Sequence, residues 1–101
     1  MEFTRTIKAK PEEVEFAFNY VGIIKAYEYK GDGKYAITVR SYEKFAFSSI
    51  KTLIKNAIKD GAIRKDEVLK DFNDTITLKI KELEEYRNKY SKFLEKIIKE
   101  V

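Results

Sequence analysis

Lys44, Lys51, Lys55 and Lys59 recur at spacings of seven, four and four, with Ser48 between the first two. On a helix that spacing sets them along one side. Ammonium groups in such a row can touch successive phosphates, which gives affinity without sequence specificity. The same row is also the ordinary solvated side of an amphipathic helix, and that plainer reading carries more weight. A second group is Tyr27, Tyr29 and Tyr35, set among Lys25, Lys30, Lys34 and Arg40. Aromatic rings beside cations on a sheet can stack unpaired bases. Their alternation in phase with Ile37 and Val39 predicts instead that all three face the core. Gly31-Asp32-Gly33 has too few glycines for a phosphate-binding loop; neither G-x-G-x-x-G, nor a Walker sequence, nor a G-x-x-G loop occurs. Asp71, Asp74, Glu82, Glu84 and Glu85 lie among lysines in a pattern that solvated i,i+4 pairs explain.

The chain contains neither histidine nor cysteine. Imidazole acid–base chemistry, thiol nucleophiles, disulfides and borderline-soft metal sites are therefore excluded within it. Only carboxylates, amines, phenols and hydroxyls remain, and no catalytic arrangement of them stands out. The expectation is a protein that is not an enzyme and that holds no cofactor and no metal.

These groups must be positioned by a single small domain of 101 residues. Hydrophobic residues make up 44% and charged residues 38%, which is a globular balance with a heavily charged surface. No apolar run approaches the length of a membrane span, and Glu2, Arg5, Lys8 and Lys10 interrupt any signal-peptide core. The expected location is the cytoplasm. Abundant Lys, Glu and Ile without Cys or Trp fits a thermophile. A net charge of +4 permits nucleic-acid contact without demanding it.

Residues 2–9 alternate, with Phe3, Ile7 and Ala9 on one face and Thr4, Thr6 and Lys8 on the other; Arg5 interrupts the apolar face. Pro11 opens a helix, Glu12, Glu13 and Glu15 suit its positive end, and Gly22 ends it. Val14, Phe18 and Val21 supply its apolar stripe, widened by Phe16 or Ala17. Two strands follow around a three-residue Gly31-Asp32-Gly33 turn, a pairing that sets Tyr29 opposite Tyr35 and Tyr27 opposite Ile37. Ser41 is the expected N-cap of a second helix, whose stripe is Ala46, Phe47, Ile50, Leu53, Ile54, Ala57 and Ile58 and whose stop is Gly61. The order β-α-β-β-α(-α) predicts an α+β fold: a three-stranded antiparallel sheet with helices on one face, over residues 1–61, and a helical extension over 62–101 that packs on this domain or on a partner.

From Asp66 onward Leu69, Ile76, Leu83, Tyr90 and Ile97 fall seven apart. One continuous helix of about 33 residues would be roughly 50 Å long and would overhang the rest of the domain. A break at Asn73-Asp74-Thr75 is the favoured alternative, because Asn and Asp cap helices and β-branched residues follow. In either case Leu83, Tyr90 and Ile97 form a seam where a partner helix could pack.

The stretch YEYKGDGKYAITVRSYEKFAFSSIKTLIKNAI, preceded by strand FTRTIKA and helix PEEVEFAFNYV, resembles the small dimerising subunit of the KEOPS complex, which carries out threonylcarbamoyl modification of tRNA adenosine. The match covers about residues 2–60 and lies in the order of elements more than in identities. It implies a non-catalytic subunit that pairs with itself or with a small paralogue, docks on the large catalytic subunit and supports tRNA binding. The family favours Arg and Asn where this chain has Lys51 and Lys55, so Lys51 keeps its charge and Lys55 changes chemistry. Those departures and the tail suit a divergent paralogue. Lys44, Lys51, Lys55 and Lys59 are then the expected nucleic-acid or partner contacts. The rival expectations are an archaeal or viral dimeric nucleic-acid-binding protein and a coiled-coil adaptor without nucleic acid.

Overall fold

The computed structural model describes residues 2–40, 47–77 and 84–101, of which Arg40 and residues 75–77 are described by their backbone alone. Three strands, β1 (Glu2–Lys8), β2 (Ile24–Gly31) and β3 (Lys34–Arg40), form an antiparallel sheet in the order β1-β3-β2. Among the described residues four α-helices accompany it: α1 (Pro11–Phe16), α2 (Ile50–Lys59), α3 (Lys65–Thr77) and α4 (Glu84–Glu100). The fold is α+β, as the element order predicts.

Period-two alternation decides which face is buried. Ile7, Tyr35, Ile37 and Val39 point to the helices and are buried, while Thr4, Thr6 and Lys8 face outward. The hairpin register is the one expected, with Tyr29 across from Tyr35 and Tyr27 across from Ile37. Its turn is tighter than expected. Gly31 already pairs with Lys34, so Asp32 and Gly33, at φ 54° and 73°, make a two-residue turn whose twist suits a hairpin; Gly31 before them also has positive φ, 92°. Gly31 is the last residue of β2, at a break in register between Tyr29 and Gly31; a second break lies between Ile24 and Ala26.

Pro11 takes the first position of α1 and Gly22, at φ 78°, ends that helical segment, as expected. Between them the chain widens into a π-helical turn over Ala17–Val21, closed by an i→i−5 bond from Gly22 N–H to the Ala17 carbonyl (3.1 Å). Val14, Phe16 and Ala17 are buried, whereas Phe18, expected on the apolar stripe, is 39% exposed.

The second helix begins later than the sequence predicts. Ser41 lies outside the described residues, and α2 starts at Ile50 with Ser49 as its cap. Ser49 Oγ accepts the Thr52 N–H (3.1 Å), and Thr52 Oγ1 accepts the N–H of Ser49 (2.9 Å). From there the expected stripe holds: Ile50, Leu53, Ile54, Ala57 and Ile58 are buried, and Gly61 follows the cap Asp60 at φ 78°.

No break occurs at Asn73-Asp74-Thr75, because α3 runs through all three to Thr77. Asn73 has a tertiary role instead, since its Oδ1 accepts the Ser91 hydroxyl (2.8 Å). The two helices pack on each other and on α1, and Phe16 is the hub of that packing. Its ring stacks on Tyr90 (4.3 Å between centroids) and meets Phe72 edge-on at 5.2 Å and Phe93 at 6.0 Å. Contacts of this kind stabilise by about 0.5–1.5 kcal/mol each beyond area burial. Val68, Phe72, Tyr90, Leu94 and Ile97 thereby join the same core as the sheet and α2.

Candidate functional site

α2 carries three lysines of the predicted row; Lys44 lies outside the described residues. A helix docked by one stripe must leave its other side outward, and that side bears Lys51, Lys55 and Lys59. They do not form a uniform row of unengaged ammonium groups. Lys51 Nζ donates to Glu100 at the end of α4 (2.7 Å). That hydrogen bond is the main reason the Glu100 carboxyl sits below its ordinary value of 4.5, with Lys51, Lys55 and Lys96 adding electrostatic support. Lys51 and Lys55 thus lie beside the last turn of α4, where cations also oppose the negative end of that helix. Both are half-buried, and Lys59 is fully outward. The sequence offers no local signal for the pairing, since the partners stand half a chain apart.

The predicted partner seam is filled from within. Leu83 lies outside the described residues, but Tyr90 and Ile97 are 2% and 0% exposed. They face the chain's own core, because α3 and α4 fold back as a pair and present their apolar positions to Phe16. Seven-residue spacing marks an apolar helix face and leaves open whose surface covers it.

The tyrosines reverse the expectation in part. Tyr35 on the central strand is buried, and burial together with nearby Tyr29 and Tyr27 raises its pKa above the ordinary phenol value. Tyr27 and Tyr29 lie on the same face but on the outer strand, where the helical layer stops, and they are 38% and 58% exposed. Phe18 joins them from the π-helical turn. Its ring meets Tyr27 edge-on at 5.3 Å, and Tyr29 leans on Tyr35 at 5.1 Å. The result is a strip of three exposed aromatic rings beside a strand edge that pairs with no other described strand. Charges along this strand balance locally, since Lys30 pairs with Glu28 (3.1 Å) and Lys25 pairs with Glu2.

The opposite edge of the sheet is different. β1 points Arg5 to the helix-facing side, opposite Ile37, and its outward residues are Thr4, Thr6 and Lys8. An inward-pointing charge on an outer strand opposes further pairing. Among the described residues no cluster of three or more metal-ligating side chains occurs, and no helix is long and apolar enough to cross a membrane. Comparison of the chain with protein-family models, with curated proteins and with solved structures gives no match.

Proposed function

We propose that this chain is a non-catalytic subunit that pairs with a second copy of itself through the aromatic strip on β2. The observation that carries this reading is the exposure of Phe18, Tyr27 and Tyr29 side by side at an open sheet edge. Aromatic side chains concentrate at interfaces because they bury large area at little entropic cost. The register breaks on either side of Ala26–Tyr29 confine any strand ladder to that short stretch, so side chains supply most of the contact. Local charge balance around Glu28 and Lys30 removes like-charge repulsion between two copies.

The role proposed for such a dimer is that of the KEOPS small subunit: docking on a large catalytic subunit and supporting tRNA binding in the cytoplasm. Lys55 and Lys59 are the proposed phosphate contacts, and Lys51 contributes when Glu100 releases it. The coiled-coil adaptor is the weaker reading, since Tyr90 and Ile97 are used internally. Cross-linking an equimolar mixture of light and isotopically heavy chain tests the pairing. Mixed-isotope links among Lys25 and Lys30 are expected; mixed links confined to lysines of α2 and α4 would refute this interface. The tRNA role requires that log affinity fall linearly with log salt, and that Lys55→Gln with Lys59→Gln reduce the slope by about two. A flat salt response leaves the nucleic-acid part untenable.

A further inference from the structure

A second site lies away from both surfaces, between the first turn of α1 and the outer side of α4. It is a cleft of about 280 Å³ lined by Lys10, Glu12, Glu13, Lys89, Lys92, Phe93 and Lys96, with Tyr90 in its floor. Its two carboxylates are already engaged. Glu12 accepts from Lys89 (2.9 Å), and Glu13 accepts the backbone N–H of Lys10 (3.2 Å). Lys89 also passes 5.5 Å from the centre of the Tyr90 ring, so the Lys89–Glu12 pair spans the cleft above that ring. Beside them stand the ammonium groups of Lys10, Lys92 and Lys96 and the hydroxyl of Tyr90, so the lining carries four lysines against two carboxylates. Tyr90 is 2% exposed, and its oxygen is the one buried side-chain polar atom among the described residues without a hydrogen-bond partner. A buried phenol left unpaired is costly and calls for an explanation.

We infer that this cleft binds a phosphate group, with the lysines neutralising it and the Tyr90 hydroxyl donating to one of its oxygens. Four lysines outnumber two carboxylates along the cleft and the Tyr90 hydroxyl can donate, a balance that favours an acceptor-rich anion. Burial and the neighbouring carboxylates push the Tyr90 phenol up to about 12, which keeps it a donor throughout the neutral range. Phe93, half-buried, also lines the cleft and adds an apolar ring to it. A phosphomonoester with an aromatic body, such as a nucleoside monophosphate, fits this better than inorganic phosphate alone.

The test titrates the full chain with inorganic phosphate, adenosine monophosphate and adenosine at constant ionic strength, followed by amide NMR. Saturable shifts at Lys10 and Lys89–Lys96 are expected with both phosphates, tighter for the nucleotide, and none with adenosine. Lys92→Gln with Lys96→Gln should weaken binding by about tenfold or more. Tyr90→Phe separates a ligand role from a packing role. It should raise the unliganded melting temperature, because an unpaired hydroxyl is removed, and yet weaken nucleotide binding several-fold. Absence of saturation, binding unchanged in the double lysine variant, or full affinity in Tyr90→Phe would each overturn the assignment.

Discussion

Two residues that stand two apart in sequence, Phe16 and Phe18, divide the molecule's aromatic content between inside and outside. Phe16 is fully buried among Phe72, Tyr90 and Phe93, whereas Phe18 sits at the surface against Tyr27. Phe16→Ala should therefore cost about 3–5 kcal/mol by chemical denaturation. Phe18→Ala should cost much less, and a comparable loss in the two would contradict this division. The buried phenols also set an alkaline limit. Desolvation raises Tyr86 and Tyr90 above the ordinary value of 10, Tyr90 to about 12. A group raised on folding contributes stability that is complete below its unfolded pKa and lost as pH climbs through its folded one. Stability should thus hold to about pH 10 and fall from there through about 12, with unfolding and phenolate absorbance rising together. Glu12 and Glu100 act in the opposite sense. Their lowered values, each caused first by a lysine hydrogen bond, make a contribution that is present above 4.5 and lost as pH falls below it. Both are exposed, so salt should erase most of that effect.

At the scale of elements, local chemistry made the hairpin, the start of α1 and the end of α2 legible. Pro11, Gly22, Gly61 and the Asp32-Gly33 pair each impose a backbone geometry that few neighbours can override. The start of α2 is less legible because Ser41 and Ser49 both satisfy the chemistry of a cap, and only the reciprocal bonds with Thr52 distinguish Ser49. Ser49→Ala should cost about 1 kcal/mol, read as a lower denaturation midpoint with unchanged slope. The π-helical turn has no sequence signature of its own, and Phe18, predicted on the apolar stripe, lies at the surface because the side of the helix that bears Phe16 is the one that is buried. In the tail, Asn73 looked like a helix start; it is a helix-interior residue whose side chain meets Ser91 on α4. A contact across 18 positions outweighed a capping preference of about a kilocalorie.

For the whole molecule, alternation and helical stripes predict which faces are apolar but not where coverage stops. The tyrosine face was legible as one face; that the helices cover Tyr35 and leave Tyr27 and Tyr29 open depends on the strand order β1-β3-β2. Likewise the Leu83, Tyr90 and Ile97 spacing identifies an apolar helix side, and the return of α4 onto Phe16 supplies its cover from within the chain. The lysines of α2 were legible as a row, while the partial engagement of Lys51 by Glu100 was not, because it joins the middle of the chain to its last helical turn. These placements leave one surface whose aromatic exposure exceeds what a lone domain needs, and the subunit reading rests on it. Light scattering of the full chain at roughly 50 μM, beside a Tyr27→Ser, Tyr29→Ser variant of verified fold, tests this most directly. The account predicts a native mass twice the 11.9 kDa of the chain and a single-chain mass for the variant. A native monomer, or a variant that still pairs, would contradict it.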